Sequence, residues 1–92
     1  MLGQRINELR LAFGWNQVQL AEKLNISKQT VSNWENENIQ PSIEMLVRIA
    51  KIFHVSTDYL LGLDNTPQIN VEGLPVSFVA HLTQLIEDYK QK

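Results

Sequence analysis

Cysteine is absent from this 92-residue chain, and its absence removes several classes of function at once. Without thiols there are no disulfide bonds, no thiolate zinc sites and no cysteine nucleophiles. Long apolar runs are missing too: no stretch reaches the roughly 18 residues that cross a bilayer, and the first residues lack a signal-peptide pattern. We therefore expect a soluble, cytoplasmic protein with no membrane association.

A surplus of positive charge is also missing. The formal net charge is −2, and residues 1–63 carry equal numbers of basic and acidic side chains, so the negative surplus lies in residues 64–92. A domain that binds nucleic acid by bulk charge is basic, with an isoelectric point above about 9. Any affinity of this chain for DNA must therefore come from a few well-placed hydrogen-bond donors.

The residues that are present predict a small helical protein. Hydrophobic side chains make up 43% of the chain, enough for one modest core at this length. Residues 2–13 repeat apolar residues at helical spacing, and the expected buried face consists of Leu2, Ile6, Leu9 and Phe13. The fourth helix is expected to bury a stripe that consists of Ile43, Leu46, Val47, Ala50 and Phe53.

Start and stop signals divide residues 1–63 into five helices. Gly14 suits a left-handed stop after the first helix, and Asn25 suits the tight turn after the second. Helices two to five begin at the capping residues Asn16, Ser27, Ser42 and Ser56. Five helices joined by short loops predict a compact all-α domain over residues 1–63.

The remaining residues predict a linker and one more helix. Residues 64–75 are the linker, because Pro67, Gly73 and Pro75 stand among polar residues there. Residues 76–92 hold a sixth helix, and its apolar stripe consists of Phe78, Val79, Leu82, Leu85, Ile86 and Tyr89. This stripe either docks on the five-helix domain or pairs with a second copy, and we favour pairing, which predicts a homodimer.

Helices two and three, with the turn between them, form a predicted helix-turn-helix. Ala21 is small enough for two helices to approach closely, and Val31 and Trp34 point inward from helix three. The outward residues of helix three are polar: Lys28, Gln29, Thr30, Ser32 and Asn33. Lysine and amide side chains on a short exposed helix can contact base edges in the DNA major groove. The alternative is a solvated face without a ligand, which is what most amphipathic helices present.

The residues around this motif resemble a known family. Residues 17–36, with Arg10 upstream and residues 41–53 downstream, look like the helix-turn-helix domain of the Xre type, which lambdoid phage repressors and Cro proteins share. Residues 55–62 match the usual fifth helix of that family. The resemblance covers residues 2–62. It implies a five-helix repressor-like fold and a transcriptional regulator, a repressor in the first instance, that binds a palindromic operator on double-stranded DNA.

The resemblance also implies roles for single residues. The outward residues of helix three would contact base edges, and Gln17 and Asn36 would contact DNA phosphates. Arg10 and Glu35 match the internal ion pair of the family, so their role would be structural, and breaking one partner would cost more than replacing both.

The chemistry of the outward side chains narrows the base preferences. Gln29 and Asn33 can each make a bidentate contact with adenine, and Lys28 suits the acceptors of guanine. Each good contact is worth roughly 1–3 kcal/mol of discrimination.

No catalysis, cofactor or metal is expected. His54 and His81 are isolated, and no arrangement of Ser, His and Asp suggests an activated nucleophile. An enzyme is therefore the least favoured class. The stronger rival to a DNA-binding regulator is an antitoxin, or another partner-binding regulator, whose last helix holds a different protein.

Overall fold

The computed structural model describes residues 2–91, and within them every regular element is an α-helix. The six predicted helices are all present, so the all-α prediction is confirmed. Their bounds are α1 Leu2–Ala12, α2 Gln17–Leu24, α3 Lys28–Glu35, α4 Ile43–Phe53, α5 Thr57–Leu61 and α6 Val76–Lys90.

Side-chain caps begin four of these helices, as predicted. The side chain of Asn16 accepts a hydrogen bond from the backbone N–H of Gln19, and the Gln19 side chain accepts one from the backbone of Asn16, which completes a capping box. The hydroxyl oxygens of three serines cap α3, α4 and α5 in the same way: Ser27, Ser42 and Ser56. Each cap satisfies an N–H group that the helix cannot pair internally.

The two predicted left-handed positions are also confirmed. Gly14 has φ 76°, and Asn25 has φ 57° and ψ 47°. The backbone N–H of Asn25 donates to the carbonyl oxygens of Ala21 and Glu22, so α2 ends there and α3 can begin after two further residues. Asparagine tolerates this conformation better than other residues with a side chain, which is why it can stand in the turn.

The core lies where α2 and α3 cross α1, α4 and α5. Ala21, at 3% exposure, lies among the buried residues between α2 and α3, as the close approach of the two helices requires. The largest fully buried side chains are Phe53, Ile6, Leu20, Leu24, Ile49, Leu60 and Val31. Full burial of one such side chain contributes roughly 1.5–3 kcal/mol, so this cluster holds the five helices together.

The prediction for α4 was wrong at two positions. Ile43 is 83% exposed and Val47 is 39% exposed, whereas Ile49 is fully buried beside Ala50 and Phe53. The apolar residues of α4 occupy more than half of its circumference, but α2 and α5, the helices that pack on α4, cover only one side of it. Tertiary contacts, rather than the apolar period, therefore decide which residues face the core.

Phe13 also departs from the predicted buried face of α1. The helix ends at Ala12, so Phe13 lies in the following turn and is 44% exposed. Its ring meets the edge of the Phe53 ring at a centroid distance of 5.0 Å, and Trp15 stacks on Phe53 at 5.5 Å. The three rings form an aromatic cluster at the edge of the core.

The linker and α6 are packed differently from the rest. The backbone N–H of Asn70 donates to the carbonyl oxygen of His54 at 3.0 Å, which ties the linker to the end of α4. Beyond the linker, none of the described residues of α6 is buried, and only Val79 and Leu82 are half-buried. The structure therefore consists of a packed five-helix body, α1–α5, followed by one helix with most of its surface in water.

Candidate nucleic-acid interface

Helix α3 presents its polar residues on the side away from the core. Val31 is fully buried and Trp34 is 3% exposed, which fixes the orientation of the helix. Lys28 and Gln29 lie on the exposed side. Thr30, Ser32 and Asn33 are half-buried, at the margins of that side. The five predicted side chains therefore differ in exposure, and the two most exposed lie in the first turn of α3.

Most of the polar side chains on this face are paired with one another. The Nε2 of Gln29 donates to the Oδ1 of Asn33 at 3.0 Å. The hydroxyl oxygens of Thr30 and Ser27 lie 2.8 Å apart. Pairs three or four residues apart on a helix hold each other in a defined rotamer. The face is therefore partly ordered before any ligand binds.

Asn36 and Lys28 complete the face at its two ends. Asn36 follows α3 and donates from its Nδ2 to the Ser32 hydroxyl at 3.3 Å. Lys28 makes no hydrogen bond or ion pair with any of residues 2–91. It is the basic residue of α3, so its charge is available to a ligand.

The ion pair predicted between Arg10 and Glu35 is present and is the centre of a larger network. The Nε of Arg10 donates to Oε2 of Glu35 at 2.7 Å, and a second guanidinium nitrogen donates to Oε1 at 3.1 Å. A third nitrogen of Arg10 donates to the carbonyl oxygen of Trp15 at 2.8 Å. The two side chains are 10% and 5% exposed. This bidentate pair joins α1 to the last residue of α3.

Two amide side chains that the sequence did not connect to this pair also bind Glu35. Asn7 donates to Oε1 at 2.9 Å and Gln17 donates to the same oxygen at 3.2 Å. Gln17 is the first residue of α2, so the network joins α1, α2 and α3 at one carboxylate. The signal in the sequence was the spacing of Asn7 and Arg10, which lie one turn apart on the same face of α1.

The network sets the protonation state of Glu35. Burial by itself raises the pKa of this carboxyl group, but hydrogen bonds from Arg10, Asn7 and Gln17, with the charge of Arg10, outweigh burial. The pKa of Glu35 is therefore lowered from its ordinary value of 4.5. At neutral pH the group is a carboxylate whose charge is balanced by Arg10, so it does not repel a phosphate backbone as a free carboxylate would.

The end of α3 is held against α1 by a contact that the sequence analysis missed. Gly3 is buried, and a Cβ atom there would collide with the carbonyl oxygen of Trp34. Glu37 has φ 62° and its carboxylate accepts a hydrogen bond from the backbone N–H of Gln4 at 3.3 Å. The only sign of this close approach in the sequence was a glycine inside an amphipathic helix.

The exposed face of α3 has a limited chemistry. Apart from Lys28 it offers neutral amides and hydroxyls, which both donate and accept hydrogen bonds. These are the groups that distinguish base pairs in the major groove, where each pair presents its own pattern of donors and acceptors. The face provides little of the bulk charge that binds DNA without regard to sequence.

The apolar stripe of α6 is the second candidate surface. Half-buried Val79 and Leu82 lie beside four side chains that are 47–77% exposed: Phe78, Ile86, Leu85 and Tyr89. No group of acidic or histidine residues within 2–91 could hold a metal ion. None of the helices described is both long and apolar enough to span a bilayer.

The sequence model of the helix-turn-helix family matches residues 6–60, which run from α1 into α5. The HTH-type transcriptional regulator ImmR of Bacillus subtilis is 36% identical over 87 residues, 95% of this chain and 68% of ImmR. The HTH-type transcriptional regulator SinR of the same species is 37% identical over 62 residues. That match covers 66% of this chain and 56% of SinR, so the chain spans little more than half of this relative.

Solved structures with the same arrangement of helices include two bound to DNA. The P22 c2 repressor in complex with a synthetic operator has a TM-score of 0.65 and 31% identity, covering 70% of this chain and 97% of the repressor. SinR in complex with DNA has a TM-score of 0.62 and 35% identity, covering 66% and 98%. A chain of the solved complex of the SinR and SinI proteins matches with a TM-score of 0.63 and 25% identity, and the match covers 100% of this chain and 100% of that chain.

Proposed function

The chain belongs to the helix-turn-helix family of DNA-binding transcriptional regulators, of the Xre type, and from this premise we propose that it reads a palindromic operator with α3 in the major groove. The observation that carries the proposal is the α3 face, where exposed Lys28 and Gln29 stand beside the half-buried amide of Asn33. We further propose repression as the outcome, because the structurally similar P22 c2 repressor is bound to an operator.

Base contacts and phosphate contacts come from different elements. Lys28, Gln29 and Asn33 contact base edges, with Thr30 and Ser32 at the margins. Gln17 uses one proton of its Nε2 on Glu35, and the second proton is available to a DNA phosphate. Phosphate contacts fix the position of a protein on the duplex, whereas base contacts carry the sequence preference.

Asn36 supplies a second phosphate contact at the far end of α3. It is exposed, and the hydrogen bond from its Nδ2 to Ser32 leaves one amide proton free. Gln17 and Asn36 therefore bracket the recognition helix, one at the start of α2 and one after the end of α3.

Dimer formation follows from the size of the reading surface. One helix-turn-helix reads only a few base pairs, and a two-fold dimer doubles that number by placing two recognition helices on successive turns of DNA. A domain without a basic surplus gains more from this doubling than a basic domain would. We assign the dimer contact to the apolar stripe of α6, because no described residue of α6 is buried in the single chain.

In vitro selection from a random DNA pool tests the reading of DNA. The full chain is expected to enrich sites with two-fold symmetry. Gln29→Ala is expected to relax the sequence preference, whereas Gln17→Ala is expected to weaken binding to all sites about equally. An enriched motif that Gln29→Ala leaves unchanged would contradict the role of Gln29, and the absence of any enriched motif would contradict the proposed function.

Sedimentation equilibrium tests the dimer. The full chain is expected to be a dimer at tens of micromolar, and the double variant Leu85→Glu, Ile86→Glu is expected to be a monomer, because two buried charges oppose pairing. Gln84→Glu, on the same helix but outside the apolar stripe, is the matched control and should remain a dimer. A monomeric wild-type chain at these concentrations would contradict the assignment of α6.

A second candidate function is the capture of a different protein by α6. The observation that favours it is the match with a chain of the solved complex of SinR and SinI, which extends over the whole of this chain. A wild-type chain that sediments as a monomer, but forms a stable one-to-one complex with a partner that the double variant fails to bind, would support this candidate over the homodimer.

A further inference from the structure

The hydrogen bond between Gln29 and Asn33 limits what each amide can offer to DNA. Gln29 is exposed and Asn33 is half-buried, one helical turn further along α3. The Nε2 of Gln29 donates to the Oδ1 of Asn33 at 3.0 Å. The bond lies within the face that the proposed function places against base edges, and it uses one of the two donors of Gln29 and one of the two lone pairs of the Asn33 oxygen.

The groups that remain are different for the two residues. A glutamine amide has two N–H donors and a carbonyl oxygen with two lone pairs, and an asparagine amide has the same. Gln29 spends one proton on the bond and keeps one donor and its acceptor. Asn33 has its acceptor turned along the helix toward Gln29, so the end of the amide left for DNA is Nδ2 with its two donors.

The hydrogen-bonding groups that remain on Gln29 and Asn33 match different bases. Adenine presents one acceptor, N7, beside one donor, N6, in the major groove, which matches the donor and acceptor left on Gln29. Guanine presents two acceptors, N7 and O6, and thymine presents one, O4. Two donors on Asn33 therefore suit guanine best and thymine next, and they face the amino group of adenine or cytosine unfavourably.

From this geometry we propose that Gln29 and Asn33 read DNA as one coupled unit, with Gln29 specifying adenine and Asn33 specifying guanine, or thymine in second place. The proposal rests on the proposed function, since it assigns the bases that the α3 face selects. It replaces the assignment of adenine to both residues that the sequence alone suggests. It also makes Gln29 a positioning residue for a base that Gln29 does not itself contact.

Selection from a random DNA pool with the full chain tests the coupling. The operator position read by Asn33 is first identified as the one whose base preference disappears in Asn33→Ala. At that position the wild type is expected to favour guanine over adenine by about tenfold, within the range that one bidentate contact provides. Gln29→Ala frees the Oδ1 of Asn33, so the guanine preference at this position is expected to fall by about tenfold. Adenine is then expected among the bases selected there.

Lys28→Ala is the matched control, because Lys28 lies on the same face but makes no bond with Asn33. It should lose the preference at its own position and leave the Asn33 position unchanged. Adenine at the Asn33 position of the wild type, or an unchanged base there in Gln29→Ala, would overturn the coupling while leaving the proposed function intact. A wild type that selects no motif would overturn both.

A measurement without DNA tests the bond itself. In nitrogen-15 spectra of the free protein, the side-chain amide signals of Gln29 are expected to shift in Asn33→Ala and to keep their place in Lys28→Ala. If the Gln29 signals kept their wild-type positions in Asn33→Ala as well, the coupling would be overturned, because Gln29 would have no hydrogen bond to Asn33 in the free protein.

Discussion

The five-helix body and α6 use similar side chains in opposite ways. In the body, apolar residues such as Leu24 and Ile49 are fully buried, and α2 to α5 each begin with a side-chain cap. In α6 the apolar residues remain accessible, and the helix begins after Pro75 without a side-chain cap bond. The body is therefore held together by contacts within one chain, whereas most of the surface of α6 remains in water.

Under the proposed function, this difference separates the region that contacts DNA from the region that pairs with a second copy. The α3 face that we propose contacts DNA is held by a packed interior and by the Glu35 network, so it is already formed in the chain without DNA. An isolated helix of the length of α6 is only marginally stable in water, so the proposed pairing would stabilise it and cover its apolar stripe at the same time. Variants that act on one region and spare the other can test this separation.

The largest effect is expected from breaking the Arg10–Glu35 pair. Arg10→Met or Glu35→Leu leaves one nearly buried charge without its partner, and we expect each to lower the free energy of unfolding by about 3–5 kcal/mol. The double variant should cost less than the sum of the two, because no unpaired charge remains. Urea unfolding of the four proteins measures these values.

The matched control is a polar pair on α6. Gln84 donates to Asp88 at 2.8 Å on the exposed surface of that helix, and Gln84→Ala should change the free energy of unfolding by less than about 0.5 kcal/mol. If Glu35→Leu lowered the free energy of unfolding as little as Gln84→Ala, the network would have no part in holding α3 against α1 and α2.

Two isoleucines give the sharpest comparison of the two regions. Ile49 in α4 is fully buried and Ile86 in α6 is 50% exposed. Ile49→Ala is expected to lower the free energy of unfolding by about 2–5 kcal/mol at any protein concentration, since it leaves a cavity in the core. Ile86→Ala should have little effect in dilute solution, where we expect the proposed dimer to dissociate.

At high concentration the second variant should differ from the wild type. The proposed dimer stabilises the folded state by mass action, so the unfolding midpoint of the wild type should rise with concentration, and that of Ile86→Ala should rise less. Thermal unfolding over a hundredfold range of concentration measures both. A cost of Ile86→Ala as large in dilute solution as that of Ile49→Ala would show that α6 is packed on the body.

The body could be predicted from the sequence in most of its helices and turns because the signals are local. A cap such as Ser27 or Asn16 acts within three residues, and a left-handed residue such as Asn25 is recognisable where it stands. The family resemblance supplied the Arg10–Glu35 pair, which no local signal would have joined across 25 residues.

The parts that could not be predicted depend on contacts between distant segments. The choice between Val47 and Ile49 as a buried residue of α4 is made by the helices that pack on it. Likewise, Arg48 donates to the carbonyl oxygen of Leu24 at 2.6 Å and so caps the end of α2 from another helix. The bond between Gln29 and Asn33 in the candidate site is different, because the two residues lie only four apart on α3. Their spacing allows the bond, but residue types alone do not give the rotamers that form it.

Acid is expected to weaken the body through Glu35. The pKa of this group is lowered in the folded protein, so its carboxylate contributes stability that is present above the unfolded value near 4.5. That stability is lost as the pH falls through the lower folded pKa, because the proton must displace the hydrogen bonds from Arg10. We expect the free energy of unfolding to fall with pH below about 4.5, and to fall less steeply in Glu35→Gln. Equal slopes for the two proteins would show that the network does not depend on the charge of Glu35.

The smallest effects are expected at the helix starts. Ser42→Ala removes the hydroxyl that accepts from the N–H of Met45 at 3.2 Å, and we expect a loss of about 1 kcal/mol in the free energy of unfolding.

Pro75→Ser tests the opposite change: the backbone at position 75 is already extended, at φ −65° and ψ 150°, so a serine there can cap α6 without moving the chain. We expect the helical content measured by circular dichroism to rise in dilute solution, where α6 lacks a partner. At concentrations that favour the proposed dimer the gain should shrink, because pairing already stabilises the helix. If the gain in helical content were the same at both concentrations, α6 would be equally stable as a monomer and at concentrations that favour the dimer. That result would remove the difference between the two regions.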